Sequence, residues 1–226
     1  MCGRYTLTNA DPALLRARFG IDLPSDFDER PRFNIAPTDP VLAIRTAQGG
    51  RREAGRLRWG LLPGEWAQDG TRALINARTE TLEEQPAFRE SFLHRRCLIP
   101  ADGFYEWRQG ELGKQPVWIS RADGEPFAFA GIWAALENGS GSEIHSCAIV
   151  TCEPNELVRP IHGRMPVILE RGAEGPWIAQ EEDPASLLGL LRPAADDELT
   201  VRDVSDSVND VRVDGPHLLA PPLKLF

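Results

Sequence analysis

The chain has 226 residues, 42% hydrophobic and 26% charged, which is ordinary for a soluble globular protein, and we expect one domain over residues 1–226. Its longest apolar stretch, Phe127 to Leu136, is far short of the roughly 20 residues a membrane helix needs, and four cysteines without a CxxC pair exclude a disulfide scaffold. A net charge of −9 and a pI near 5.0 argue, taken whole, against a nucleic-acid binder.

The charge is unevenly spread. Residues 170–210 carry eleven acids against three basic residues, whereas residues 1–78 carry twelve arginines against nine acids. A positive face built from the first third is therefore compatible with the acidic total, with arginine as its cation. The start lacks a basic leader followed by an apolar core, so a cytoplasmic location is expected.

The chain opens Met1-Cys2-Gly3-Arg4-Tyr5. Removal of Met1 before a small residue would leave Cys2 with an α-amine titrating near roughly 7.7–8.0 and a thiol near about 8.5. An amine and a thiol on adjacent carbons suit an aldehyde, which the amine captures as a Schiff base and the thiol closes into a thiazolidine; a lone thiol suits acyl transfer equally well. A frayed terminus is the plain alternative. Against it stand Gly3, which lets the backbone approach closely, Arg4, with its planar fork, and Tyr5 to Thr8, which reads as a strand that pins the terminus.

Residues 11–20 have the marks of a helix, with Asn9 or Asp11 as cap, Pro12 in the first turn and Gly20 past the end. Residues 21–32 read as a loop, and Arg32 to Pro40 as a turn-rich passage, wedge or connector, feeding a strand at Val41 to Ile44. The basic, alternating segment Arg51 to Leu62 leads to Trp59 and Trp66 among glycine and proline, either stacking faces for a base or core, with core expected for at least one of the two. In Leu74 to Thr81, Asn76 and Arg78 fall on one side if the segment is extended.

Glu83 to Arg95 reads as a helix with Phe88, Phe92 and Leu93 inward. Cys97 to Trp107 then sets Glu106 between two large aromatics, where partial burial would raise its pKa; the plain alternative is a pair with an arginine. A hairpin is predicted from Val117 to Ile119 and Phe127 to Leu136 around Ala122-Asp123-Gly124, with a flexible tip at Asn138 to Ser142. His145 to Thr151 reads as a strand in which Cys147 is a small hydrophobe, and zinc binding by Cys147 and Cys152 is not expected. His162, among Arg159, Pro160, Gly163, Arg164 and Pro166, is singled out as proton carrier over a structural histidine. Val167 to Leu169 reads as a strand, residues from Pro184 through Leu191 as a helix, and a last strand falls around Val201 and Val204.

Six segments in this order resemble the SRAP family, the SOS-response-associated peptidases understood as abasic-site-processing proteins: Met1 to Tyr5, Asn34 to Pro37, Trp59 to Pro63, Asn76 to Glu80, Ala101 to Trp107 and His162 to Pro166. The resemblance implies an α+β fold, a curved, mainly antiparallel and partly barrel-like sheet with peripheral helices. It implies that Met1 is removed and that Cys2 captures the ring-opened aldehyde of abasic sites in single-stranded DNA as a thiazolidine crosslink shielding the lesion. Glu106 is then the general acid/base, His162 handles protons at the Schiff base and permits reversal, and Asn76 positions the amino terminus. Arg4 and Arg78 hold phosphates, Asn34, Pro37, Trp59 and Trp66 shape the groove, and Thr151 lines the pocket. No metal or cofactor is required, and a monomer is expected.

Two other classes compete. An amino-terminal-nucleophile glutamine amidotransferase also begins Met-Cys-Gly; it needs an arginine and an asparagine–glycine pair to grip glutamine and build an oxyanion hole, and its further motifs, like a synthase domain to receive ammonia, are not found in the sequence. A non-covalent single-stranded-DNA-binding module would use the tryptophans and arginines and leave Cys2 incidental. Peptidase activity most economically means autocatalytic loss of Met1.

Overall fold

The computed structural model describes residues 2–23, 30–47, 49–63, 73–110, 113–137, 141–180 and 182–222. A small antiparallel sheet runs in the order β13 (Leu199–Asp203), β8 (Gly113–Arg121), β7 (Gly103–Gly110), β1 (Tyr5–Leu7), β2 (Arg32–Ile35). A larger one closes on itself. In it β10 (Glu143–Cys152) pairs β4 (Arg52–Trp59), then β3 (Pro40–Thr46), β6 (Arg96–Ala101) and β9 (Phe127–Glu137), which returns to β10. Closure leaves these five barrel strands no free edge. The fold is α+β and mainly antiparallel, as the resemblance implies; among the described residues β10 pairs in parallel with β4 and with the short β5 (Asn76–Arg78), and Asp22 makes an isolated parallel bridge to Glu53. β11 (Met165–Pro166) and β12 (Ile168–Leu169) extend the barrel sheet.

Among the described residues four α-helices accompany the sheets: α1 (Pro12–Phe19), α2 (Pro86–His94), α3 (Arg171–Ile178) and α4 (Pro184–Gly189). Helix α1 begins and ends where its residues dictate. Asp11 accepts from the Ala13 amide at 2.7 Å, proline occupies the first turn, and Gly20 closes it at φ 61°, a left-handed conformation that glycine adopts without a Cβ clash. Glu83 to Arg95 becomes α2 only from Pro86, the natural first residue of a helix. Helix α3 carries no signal in the sequence, since Gly172, Gly175 and Pro176 are poor helix formers. Tertiary contacts override propensity there: buried Trp177 donates to the Cys97 carbonyl at 3.0 Å, and buried Glu174 accepts both ends of the Arg18 guanidinium, at 2.6 and 3.1 Å. Among the described residues no helix is long and apolar enough to cross a membrane.

The predicted hairpin between residues 117–119 and 127–136 does not form. β8 pairs β7 and β13, while β9 pairs β6, β10 and β12, so the Asp123-Gly124 turn carries the chain from one sheet to the other. The competing hairpin is β7–β8, which closes between Gly110 and Gly113, the latter at φ 121°. Of the predicted flexible tip, residues 138–140 lie outside the described residues.

Where the sheets meet, Tyr5 stands edge-on to Trp59 at 5.3 Å and to Phe129 at 5.7 Å, and Phe129 touches Phe104 at 6.1 Å. Such edge-to-face arrangements are the preferred ones for aromatic rings. Strand β1 therefore lies at the seam, with residue 2 just beyond it. Asp102 fastens the other end of β1, accepting from Thr6 Oγ1 at 2.6 Å, the Thr8 amide at 2.5 Å, Thr8 Oγ1 at 2.7 Å and the Asn9 amide at 3.1 Å. Beside it Gly103 leaves room for Trp118, whose indole would lie 2.3 Å from an added Cβ and which donates to Thr6 Oγ1 at 3.1 Å.

Candidate active site

Cys2 is fully buried. The antiparallel register of Tyr5 with Phe104 continues through the Tyr105 amide, which donates to the Arg4 carbonyl at 2.9 Å, so the start of the chain runs alongside Glu106 on β7. From the barrel side Asn76 on β5 donates through Nδ2 to the Cys2 carbonyl at 2.9 Å, and its Oδ1 is buried with no hydrogen-bond partner among the described residues. The predicted side-by-side placement of Asn76 and Arg78 follows from β5, with Arg78 exposed. Asn76, Cys2 and Glu106 thus converge from three segments.

Burial raises the Cys2 thiol far above its ordinary range, and the neighbouring Glu106 carboxylate adds to the effect. The sequence expectation of a thiol near its free value is corrected accordingly: the thiol stays protonated at neutral pH and must give up its proton within the site. Glu106 is 3% exposed, and burial raises its carboxyl above the usual range, against an opposing pull from His162. His162 is half-buried in the loop before β11, and its Nδ1 lies 3.0 Å from the Arg164 amide, which donates to it. A neutral ring that accepts at Nδ1 carries its hydrogen on Nε2. The imidazole thus acts on the Glu106 carboxyl, which in turn acts on the Cys2 thiol.

A buried carboxyl with a raised pKa favours the folded state when protonated, and that contribution is lost as pH rises through the folded-state value. Glu106→Gln, which carries no charge to bury, is therefore expected to stabilise the fold at about pH 8 by about 0.5–2 kcal/mol, or roughly 2–6 °C in melting temperature. The gain should vanish towards about pH 4, where the wild-type carboxyl also becomes neutral. Melting curves of the two proteins across that range check it; equal melting temperatures throughout would refute the assignment of a destabilised carboxylate.

Arg4 is held from two sides. Its Nη1 donates to Asn34 Oδ1 at 2.8 Å and to the Val208 carbonyl at 2.8 Å, and its guanidinium lies 5.9 Å from the Trp107 ring. The predicted groove role of Asn34 is corrected. It is 4% exposed, and its Nδ2 donates to the carbonyls of Asp210 at 3.0 Å and Val213 at 2.8 Å, so it fastens Arg4 to the C-terminal segment instead of facing a ligand. That segment lies over β2 and β7, burying Val204, Val208 and Leu218 against Tyr105.

Trp59 takes the core alternative. It is wholly buried and its indole N–H donates to the Ile75 carbonyl at 2.9 Å, so it offers no face for stacking. Its backbone instead grips the loop ahead of β3: the Thr38 amide donates to the Trp59 carbonyl at 2.7 Å, and the Trp59 amide to the Asp39 carbonyl at 2.9 Å. Thr38 is held at φ 79°, a strained conformation for a β-branched residue, with Pro37 half-buried beside it. These bonds fix the loop to the barrel, whether it serves as wedge or as connector. Thr151 is buried, its Oγ1 3.4 Å from the Ala77 carbonyl, so its side chain is committed to the barrel. Trp66 lies outside the described residues.

Sequence reasoning assigns no individual role to Asp102, Glu80, Arg164 or Trp107. For Asp102 a signal exists: Thr6 and Thr8, two apart, fall on one side of an extended segment, where one acceptor can serve both.

The fold and site define a class: an α+β barrel protein in which the cysteine at position two is buried beside a carboxyl group on which an imidazole acts, its backbone held by an asparagine. The family model described as "SOS response associated peptidase (SRAP)" matches residues 1–211. The chain belongs to the SRAP family. It is 39% identical to the abasic site processing protein YoqW of Bacillus subtilis (strain 168), over 97% of this chain and 99% of that one. It is 31% identical to the abasic site processing protein YedK of Escherichia coli (strain K12), over 98% and 100%. Among solved structures, a Bacteroides thetaiotaomicron protein superposes with a TM-score of 0.82 at 24% identity, covering 98% of this chain and all of that one. A Bordetella bronchiseptica protein does so with a TM-score of 0.78 at 28% identity, covering 90% of this chain and all of that one.

Proposed function

We propose that this protein processes abasic sites in single-stranded DNA, capturing the ring-opened sugar covalently through Cys2 once Met1 is removed. The observation that carries the reading is the burial of Cys2 between Glu106 and the Asn76 amide, in a family whose relatives bear the name abasic site processing protein.

Glu106, as a carboxyl with raised pKa, gives and takes the proton needed to open the sugar hemiacetal to its aldehyde. The Cys2 α-amine attacks the aldehyde carbon and water leaves, forming a C=N bond. The thiol then adds across that bond, sulfur to carbon and its proton to nitrogen by way of Glu106 or His162, closing a thiazolidine with no change of oxidation state. A protonated thiol suffices for this step, which agrees with its raised pKa. Asn76 holds the Cys2 carbonyl and leaves Oδ1 to orient the amine or a sugar hydroxyl. Arg4 and exposed Arg78 bind flanking phosphates, and the loop at Pro37 walls the groove. Loss of Met1 by the chain's own chemistry is the peptidase activity this reading includes.

The test is denaturing gel electrophoresis of the protein with a uracil-containing single strand, with and without uracil glycosylase. A slow, denaturation-resistant band is expected only with the abasic strand. Its absence, from protein shown by mass to have lost Met1, overturns the reading and makes glutamine hydrolysis the next assay.

A further inference from the structure

The 3-10 turn Thr79–Thr81 follows β5 directly and carries Glu80, whose two oxygens accept from Arg164, Oε1 from Nη1 at 2.7 Å and Oε2 from Nη2 at 2.9 Å. Nη2 also donates to the Thr151 carbonyl at 2.7 Å. The guanidinium is thus locked between the exit of β5, which carries Asn76, and the end of β10. The backbone of the same arginine supplies the neighbours of the imidazole: its amide donates to His162 Nδ1 at 3.0 Å, and its carbonyl lies 3.1 Å from that nitrogen. At the other end of the loop the His162 amide donates to the Val158 carbonyl at 3.0 Å.

A pair whose carboxylate is 48% exposed adds little to global stability. Its geometry, however, is the bidentate fork that fixes direction as well as distance. The proton-bearing nitrogen of a neutral imidazole is set by the bond its other nitrogen makes. Here that bond is to the backbone of a residue whose side chain is anchored by Glu80 and Thr151.

We infer that Glu80 is a positioning residue for His162: its bidentate grip on Arg164 holds the Arg164 amide against Nδ1, so that the ring presents Nε2–H to the Cys2 site. The consequence for crosslink reversal rests on the abasic-site reading above, whereas the effect on the ring does not. Releasing Arg164 frees Nδ1 to hold the hydrogen against the Arg164 carbonyl, and the ring then divides between tautomers.

The full chain, labelled with 15N-histidine and free of DNA, is compared as wild type, Glu80→Ala and Glu80→Gln by long-range proton–nitrogen correlation at about pH 8, where a histidine is neutral. His162→Asn identifies the signal among the four histidines. Wild type is expected to show the Nε2–H form, Glu80→Ala a mixture of both, and Glu80→Gln, which keeps one acceptor, a smaller change. Melting temperatures should stay within about 2 °C. Reversal, followed by chase with excess abasic strand, should slow about 10-fold in Glu80→Ala, part of the roughly 100- to 10,000-fold a positioned proton carrier supplies. An unchanged tautomer in Glu80→Ala overturns the inference, as does an altered ring with unaltered reversal. Should Glu80→Ala fail to fold, the tautomer of Glu80→Gln decides between the same two outcomes. If wild type forms no crosslink, the abasic-site reading fails and the ring spectrum alone decides the role of Glu80.

Discussion

Cys2→Ala is expected to lose the denaturation-resistant crosslink to background while still reacting with the abasic strand. Alanine keeps the α-amine, so the imine forms, but without sulfur it has no ring to close and hydrolyses during denaturation. Adding borohydride before denaturation should restore a band with Cys2→Ala, because reduction of C=N makes a stable amine. This pair of gels assigns each nucleophile separately. A stable band without borohydride would show that the thiol is not needed. No band with borohydride would place the reacting amine elsewhere. Cys2→Ser should bind an intact strand as wild type does, since Arg4, Arg78 and the Pro37 loop are untouched. A protein that merely binds DNA would show unchanged affinity for abasic and intact strands alike in that variant.

The second large effect is expected far from the chemistry. Asp102→Ala removes one carboxylate that serves four donors, two hydroxyls and two backbone amides, at the end of β1. Hydrogen bonds to a charged group are the strong ones, and buried donors left without a partner carry the full cost of desolvation. The loss should be about 3–5 kcal/mol, roughly 10 °C in melting temperature for a chain of this length. Strand β1 connects this anchor to Cys2, so crosslinking at a temperature where the variant is folded should slow about 10-fold, as expected of a reacting group displaced by a fraction of an ångström. Thermal melts and single-turnover crosslinking check both; a variant as stable as wild type would show that the Tyr5, Trp59 and Phe129 packing alone holds β1. Asp102→Asn, with one acceptor oxygen left, should fall between.

The parts of this protein legible in its sequence are those where local chemistry decides. Asp11, Pro12 and Gly20 delimit α1 because each satisfies or ends a helix by itself, and Cys2, Asn76, Glu106 and His162 stand out because reactive residue types in constrained settings need a reason. What is not legible depends on partners distant in sequence. Nothing in residues 117–136 tells that β8 and β9 join different sheets; barrel closure settles it, by giving β9 two neighbours, β6 and β10. A tryptophan or an asparagine suits a surface as well as a core, so local sequence leaves Trp59 and Asn34 open to either, and both are buried. Their burial is decided by Tyr5 and Ile75 in one case, and by the carbonyls of residues 208, 210 and 213 in the other. The weak helix formers of α3 hide an element that exists because Glu174 and Trp177 find Arg18 and Cys97.

The bond from Arg4 to the Val208 carbonyl spans 204 residues. During synthesis, at roughly 5–20 residues per second, the beginning of the chain emerges about 10–40 s before its partner exists. Over that interval Cys2 lacks the Asn34-to-Val208 fastening and, at first, Asn76 and Glu106 as well. The thiol that is wholly buried in the finished fold is open to solvent for that interval. The order of translation thereby separates the exposure of this thiol from its enclosure.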